Sequence, residues 1–69
     1  MSTRKVYYRD VVTAMAEQNI TAQFEKWADI YCPDVPSYYD VLVDIAQDRG
    51  IEQLYEDVKS GKFAQELKT

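Results

Sequence analysis

Apolar residues recur every three or four positions along almost the whole chain, and this spacing constrains the fold more than any other feature. It places apolar side chains on one face of an α-helix, whereas a half-buried strand would alternate at every second position. The residues that follow it are Tyr8, Val11, Val12 and Met15; Ile20, Phe24, Trp27 and Tyr31; Tyr38, Val41, Leu42 and Ile45; and Ile51, Leu54, Tyr55 and Val58. The pattern therefore predicts an all-α protein.

Residues typical of helix ends divide this pattern into four short helices. The predicted helices are residues 4–18, 21–32, 37–49 and 51–59. Ser2 or Thr3 is the expected cap of the first helix, and Asn19 is expected to end it in the left-handed conformation. Ser37 precedes Asp40 by three residues, which resembles a capping box and predicts the start of the third helix. Helices this short are not stable alone in water, so mutual packing must stabilise them.

The last third of the chain contains one predicted helix end and one segment with two alternative structures. Gly50 is expected to end the third helix in the left-handed conformation. Phe63 and Leu67 are four residues apart, so residues 61–69 form either a frayed fifth helix or a segment that docks on the core. We expect a single small domain, residues 1–69, built as a compact bundle of four short helices with a possible fifth C-terminal turn.

The composition argues against catalysis. The chain has 69 residues, no histidine and one cysteine, so it has no imidazole base, no histidine metal site and no internal disulfide. It lacks a glycine-rich phosphate loop and a cluster of metal ligands, and so small a bundle leaves little room for an active-site pocket. We therefore expect that the protein is not an enzyme and that it binds neither a cofactor nor a metal. No apolar run is long enough to cross a membrane, and the unpaired cysteine fits a cytoplasmic protein.

Negative charge is concentrated in the middle of the chain. The net charge is −4, but residues 10–57 contain eleven of the twelve acidic residues and only two of the eight basic ones. Five acids recur at every fourth position, namely Asp40, Asp44, Asp48, Glu52 and Glu56. On the third helix the first three, here called the acidic row, fall within an arc of about 80° opposite the apolar face. Such a row is either a solubilising surface or a binding site for a basic partner, for example by imitating a nucleic-acid backbone.

Two pairs of adjacent tyrosines indicate a further candidate surface. Neighbours on a helix point about 100° apart, so Tyr7 and Tyr39 are expected beside the apolar faces that Tyr8 and Tyr38 occupy. Tyrosine in such positions is typical of the edge of a small core and also of protein interfaces. Tyr39 and Val43 adjoin the acidic row and form the predicted binding patch with it. Tyr7, together with Glu52 and Glu56 of the fourth predicted helix, provides further candidate contacts.

Other aromatic residues and the cysteine are expected to be structural. Phe24, Trp27 and Tyr31 share one helical stripe with Ile20, so we place them in the core. Cys32 is expected to act as a small buried apolar residue, because no histidine or lysine adjoins it to favour a thiolate.

These features favour a small acidic protein-binding module. We expect an adaptor or inhibitor that docks on a basic surface of a larger protein, for instance one that binds nucleic acid. A compact acidic chain of this kind also fits an inhibitor encoded by a phage or another mobile element. The first alternative is a homodimer or another homo-oligomeric assembly, because small helical domains often complete their cores by association.

The second alternative is a helix-turn-helix DNA-binding regulator. The spacing of Ala46 and Gly50 fits the turn of that motif. The following helix, however, would present Glu52 and Glu56 to the phosphates, where basic or amide side chains are needed. The residues left to contact a DNA backbone are Arg4, Lys5 and Arg9. Direct nucleic-acid binding is therefore the least favoured of the three hypotheses.

Overall fold

The computed structural model describes residues 5–68 and shows an all-α fold. Its helices are α1 (Tyr8–Glu17), α2 (Thr21–Tyr31), α3 (Tyr38–Arg49), α4 (Ile51–Ser60) and α5 (Lys62–Glu66). No strand occurs in these residues. The predicted fold class is confirmed, and each of the four expected helices is present with shifted ends.

The first helix begins at Tyr8, four residues later than the sequence predicted. The backbone N–H of Tyr7 donates to Oδ2 of Asp10 at 2.9 Å. A carboxylate in the first turn also interacts favourably with the positive end of the helix dipole, so Asp10 stabilises a start at this position. The expected caps and the predicted first residue, Ser2, Thr3 and Arg4, lie outside the described residues.

The end of α1 confirms the role predicted for Asn19. Its φ is 58°, in the left-handed region that asparagine tolerates better than most residues. The N–H of Ile20 donates to the carbonyl of Met15 at 3.0 Å, and that of Asn19 donates to Ala16 at 3.1 Å. This pair of bonds is a Schellman motif, and its apolar partners Ile20 and Met15 are both buried.

Helix α4 lies at the centre of the packing. It packs on α1, α3 and α5, whereas α2 makes smaller contacts with α1 and α3. Leu54 and Val58 are completely buried, as the three-to-four-residue spacing requires of a helix covered by neighbours. The core consists of Val11, Ala14, Met15, Ile20, Phe24, Ala28, Val41, Leu42, Ala46, Leu54, Val58, Phe63 and Leu67.

The segment after Gly61 is a packed helix rather than a frayed end. Gly61 adopts the left-handed conformation, with φ 87° and ψ −3°, and separates α4 from α5. Phe63 and Leu67 are both buried in the core. The four-residue spacing of Phe63 and Leu67 therefore marks the face of α5 that packs on the core. A segment docked on the core was one of the two alternatives that the sequence left open.

Three residues that the spacing assigned to apolar faces are exposed instead. Val12, Tyr31 and Tyr38 expose 40%, 55% and 42% of their surface. The placement of Tyr31 in the core is therefore wrong. The buried side of α2 includes Ala28, which is small enough to let helices approach closely, and Tyr31 lies beside it. The Tyr31 ring packs on the half-buried ring of Trp27, with centroids 5.4 Å apart.

A single residue, Gly50, joins α3 to α4. Its N–H donates to the carbonyl of Ala46 at 2.7 Å, and its carbonyl accepts from the N–H of Leu54 at 3.0 Å. The φ of 91° is positive as expected, but the ψ of 139° lies outside the left-handed helical region. The predicted left-handed cap is wrong in this respect. The observed conformation is accessible only to glycine, which allows two helices to meet without a loop.

Replacing Gly50 with alanine is expected to lower the free energy of unfolding by about 1–3 kcal/mol. A Cβ at this position would meet no atom within 4 Å, so the loss would arise from backbone strain alone. Chemical denaturation followed by circular dichroism measures it. Gly61→Ala is the matched control, because the left-handed region is accessible to alanine at lower energy. A loss at Gly50 no larger than that at Gly61 would contradict the strain argument.

Candidate protein-binding surface

The acidic row occupies the solvent face of α3. Ser37 starts this helix, because its Oγ accepts a hydrogen bond from the N–H of Tyr39 at 3.1 Å. The cap was predicted, although its donor is Tyr39 rather than Asp40. With this start, Asp40, Asp44 and Asp48 are all exposed. Helical geometry places successive members about 6 Å apart along the axis.

The three carboxylates of the row have no hydrogen-bond or ion-pair partner within residues 5–68. Five other acidic residues do have partners, and these are Asp10 with Tyr7 N–H, Glu17 with Lys59, Asp29 with Tyr38, and Asp57 and Glu66 with Arg49. Glu25 and Asp34 have no hydrogen-bond or ion-pair partner in the described residues. The acidic row is thus not used for internal contacts. Its charge remains available to another molecule.

Glu52 and Glu56 are also exposed and without a partner in the described part of the chain, but they belong to a different helix. The break at Gly50 redirects the backbone between α3 and α4. The every-fourth-residue spacing therefore does not continue as one straight row from Asp48 to Glu52. The sequence already assigned Glu52 and Glu56 to the following helix, and the structure confirms that only Asp40, Asp44 and Asp48 lie along one helix.

Tyr39 lies at the start of the acidic row and contacts α1. Its side chain is 52% exposed, and its ring packs edge-on against Tyr8, with centroids 5.6 Å apart. Val43 follows one turn later on the same side of α3 and is half-buried. This flank of α3 is therefore aromatic and apolar, while the neighbouring face is acidic.

The structure brings together two of the candidate tyrosines that are far apart in sequence. Tyr7, Tyr8, Arg9 and Tyr39 line a shallow surface depression of about 360 Å³. We call it the tyrosine depression. Its α1 side carries Tyr7, 47% exposed, and its α3 side carries Tyr39. The depression joins Tyr7 to the patch predicted around Tyr39.

Two cations flank Tyr7 on the α1 side of the tyrosine depression. The Arg9 guanidinium carbon lies 5.2 Å from the centroid of the Tyr7 ring, and Lys5 Nζ lies 5.7 Å from it. Both distances suit cation–π attraction. Neither cation pairs with a carboxylate in residues 5–68. The depression therefore has a basic side on α1 and leads into the acidic row on α3.

A network of ion pairs that the sequence did not suggest connects α3, α4 and α5. Arg49 binds Glu66 through two hydrogen bonds, Nη1 to Oε2 at 3.0 Å and Nη2 to Oε1 at 2.8 Å. Its Nη1 also donates to Oδ2 of Asp57 at 2.8 Å, and Gln53 Nε2 donates to Oδ1 of Asp57 at 2.9 Å. Asp57 is only 4% exposed. These contacts are structural, because they satisfy a buried carboxylate and hold α5.

The network shifts the pKa values of all three charged groups in the direction that keeps them ionised. Burial alone would raise the pKa of Asp57, but hydrogen bonds from Gln53 and Arg49 outweigh it and lower that pKa. The bond from Arg49 lowers the pKa of Glu66, and the bond to Glu66 raises the pKa of Arg49 despite partial burial. The three side chains are therefore fully charged at neutral pH.

A second depression, of about 400 Å³, lies where α2 turns into α3. Its lining residues are Ala28, Asp29, Cys32, Pro33, Val35, Pro36, Ser37, Tyr38 and Val41. The Tyr38 hydroxyl donates to Asp29 Oδ1 at 3.0 Å, and this bond is the main cause of a raised pKa for Tyr38. Cys32 is half-buried in its wall. Close by in sequence, Ile30 is 70% exposed and Tyr31 is exposed beside it.

No signal in the sequence marks the exposed end of α2. The apolar stripe from Ile20 to Tyr31 predicted a buried face, and Ile30 lies outside that stripe. Which residues at the end of a helix are covered depends on how far the neighbouring helices extend, and this is a property of the tertiary structure.

Within residues 5–68, no three histidine, cysteine or acidic side chains are arranged to hold a metal ion. The helices there lack the length and apolar character needed to cross a bilayer. A comparison with protein-family models, with curated proteins and with solved structures found no match for this chain.

Proposed function

We propose that this chain is a protein-binding module that docks on the basic surface of a larger protein through α3. The contact surface consists of Tyr39, Val43 and the acidic row, with Tyr7 at its edge. Glu52 and Glu56 contribute negative charge from α4 but lie on a separate helix. The chain acts as an adaptor or inhibitor by covering the surface of its partner.

The observation that carries this proposal is the unpaired charge of the acidic row beside an exposed aromatic side chain. Like charges four residues apart destabilise a helix by a few tenths of a kcal/mol per pair. Asp48 is also close to the negative end of the α3 dipole, which adds to that cost. Three such residues without an internal partner weaken the fold slightly, so a role in binding accounts for them better than a role in stability.

The spacing of the row suggests which basic surfaces it fits. Its carboxylates lie about 6 Å apart along the helix, a distance comparable to the separation of phosphates along a nucleic-acid strand. The groove of a nucleic-acid-binding protein is one such partner. Direct binding of DNA through α4 is less well supported, because the exposed face of that helix carries Glu52, Gln53 and Glu56.

Neutralising the acidic row is expected to abolish partner binding while the fold remains intact. The test variant is Asp40→Asn, Asp44→Asn and Asp48→Asn combined. Tagged wild-type and variant proteins are used to capture partners from a bacterial lysate, and the captured protein is purified and titrated by calorimetry. We expect at least a tenfold weaker affinity for the variant and a steep loss of wild-type affinity with added salt.

A control triple variant separates a specific surface from net charge. Glu17→Gln, Glu25→Gln and Asp34→Asn remove the same number of charges away from α3. This control is expected to bind almost as tightly as wild type. If both triple variants weaken partner binding equally, or if the test variant does not weaken it, the acidic row is only a solubilising surface.

A further inference from the structure

We infer that the tyrosine depression is the centre of a symmetric interface with a second copy of this chain. This inference goes beyond the proposed function, because it assigns to Tyr39 and Asp40 of the same surface a second partner, another copy of this chain. The occupant follows from the distribution of charge around the depression.

The depression is lined by Tyr7, Tyr8, Arg9 and Tyr39, and charged residues of opposite sign adjoin its two sides. Lys5 and Arg9 lie on the α1 side, where they flank the Tyr7 ring. Asp40 directly follows Tyr39 on the α3 side, and Asp44 lies one turn beyond it. No ion pair joins the two sides within one chain among the described residues. Each side therefore keeps its charge for an external partner.

This arrangement is complementary to itself. A twofold axis that runs along the depression, between its α1 and α3 sides, sets the α1 side of each copy against the α3 side of the other. Lys5 and Arg9 of one copy then face Asp40 and Asp44 of its partner, twice over. The same twofold operation places the exposed part of the Tyr7 ring of one copy against the Tyr39 ring of the other. This contact would bury apolar surface of both rings.

Tyrosine is well suited to such a contact. It buries a large apolar ring with little loss of conformational entropy, and its hydroxyl can keep a hydrogen bond at the rim. The charge pairs around the rings would set the register and disfavour the reversed arrangement, in which like charges meet. A basic partner and a second copy would compete for Asp40 and Asp44.

A charge swap tests the interface. One variant carries Lys5→Glu and Arg9→Glu, and the other carries Asp40→Lys and Asp44→Lys. Sedimentation equilibrium of the full chain is expected to show a dimer for wild type and at least a tenfold weaker self-association for each variant alone. An equimolar mixture of the two variants is expected to form a heterodimer of near wild-type affinity, detected by native mass spectrometry, because opposite charges then meet at both contacts.

Two controls change equal charge on other surfaces. Lys26→Glu with Lys68→Glu, and Glu25→Lys with Asp34→Lys, are expected to leave the dimer unchanged, and circular dichroism verifies the fold of every variant. A monomeric wild-type chain overturns the inference. So does a dimer that survives both charge variants, or one that Ile30→Ser disrupts while the charge variants do not, since it would then use the end of α2.

The inference and the proposed function fail in different ways. A wild-type monomer that still binds its captured partner through the acidic row overturns only the inference. If the charge swap weakens the dimer, while neutralising the acidic row leaves partner binding unchanged, only the proposed function is overturned.

Discussion

Replacing Arg49 with methionine is expected to lower the free energy of unfolding by about 3–5 kcal/mol. The substitution leaves the buried carboxylate of Asp57 with Gln53 alone and releases Glu66 on α5. An uncompensated buried charge is among the most destabilising changes a core can receive. A domain of this size has roughly 3–10 kcal/mol of stability in all. Urea denaturation at pH 7, followed by circular dichroism, measures the loss.

The loss of stability in the Arg49→Met variant should depend on pH. The folded pKa values of Asp57 and Glu66 are lowered, so their stabilising contribution is present above the ordinary carboxyl pKa. It is lost as the pH falls through the folded pKa values. In the methionine variant, burial favours the neutral form of Asp57, so acid relieves the unpaired charge. The difference between the two proteins is therefore expected to be largest at neutral pH and to narrow in acid.

Two further variants control for this result. Adding Asp57→Asn to the Arg49 variant removes the unpaired charge and is expected to recover part of the lost stability. Lys26→Met replaces an exposed cation of α2 and is expected to change stability by less than about 0.5 kcal/mol. An Arg49→Met loss below about 1 kcal/mol, or one independent of pH, would show that the network does not hold the fold.

Replacing Phe63 with alanine is expected to lower the free energy of unfolding by about 3–5 kcal/mol. The ring is 2% exposed, lies 5.9 Å from the ring of Phe24 between centroids, and lies beneath the Arg49 guanidinium. Helix α5 has five residues, too few to persist without tertiary contacts. The substitution should therefore release α5 as well as open a cavity in the core.

Hydrogen exchange separates these two effects. In the Phe63 variant, the amides of residues 62–67 are expected to exchange faster than those of α4, because α5 opens before the remaining core. Gln65→Ala on the exposed side of the same helix is the matched control and should leave both rates unchanged. Uniform acceleration throughout the chain would mean that α5 has no separate opening.

The proposed binding surface was predictable from sequence only along one helix. The spacing of Asp40, Asp44 and Asp48 is enough to place them together, because helical geometry is local. The tyrosine depression, which Tyr7 and Tyr39 both line, is not a local feature, since 31 intervening residues separate the two tyrosines. The helix end that separates Glu52 from the acidic row was predicted, because Gly50 is a local signal for it. The conformation of Gly50, with φ 91° and ψ 139°, was not predicted.

Local chemistry alone determined the helices of this protein and much of where they end. Apolar spacing predicted them, and Asn19 and Ser37 act at their ends as expected, because capping depends on residues close in sequence. Tertiary structure decided what each face meets. It exposed Tyr31, buried Asp57 against Arg49, and docked α5 through Phe63. Burial and ion pairing depend on neighbours that only the assembled bundle supplies, so no local pattern encodes them.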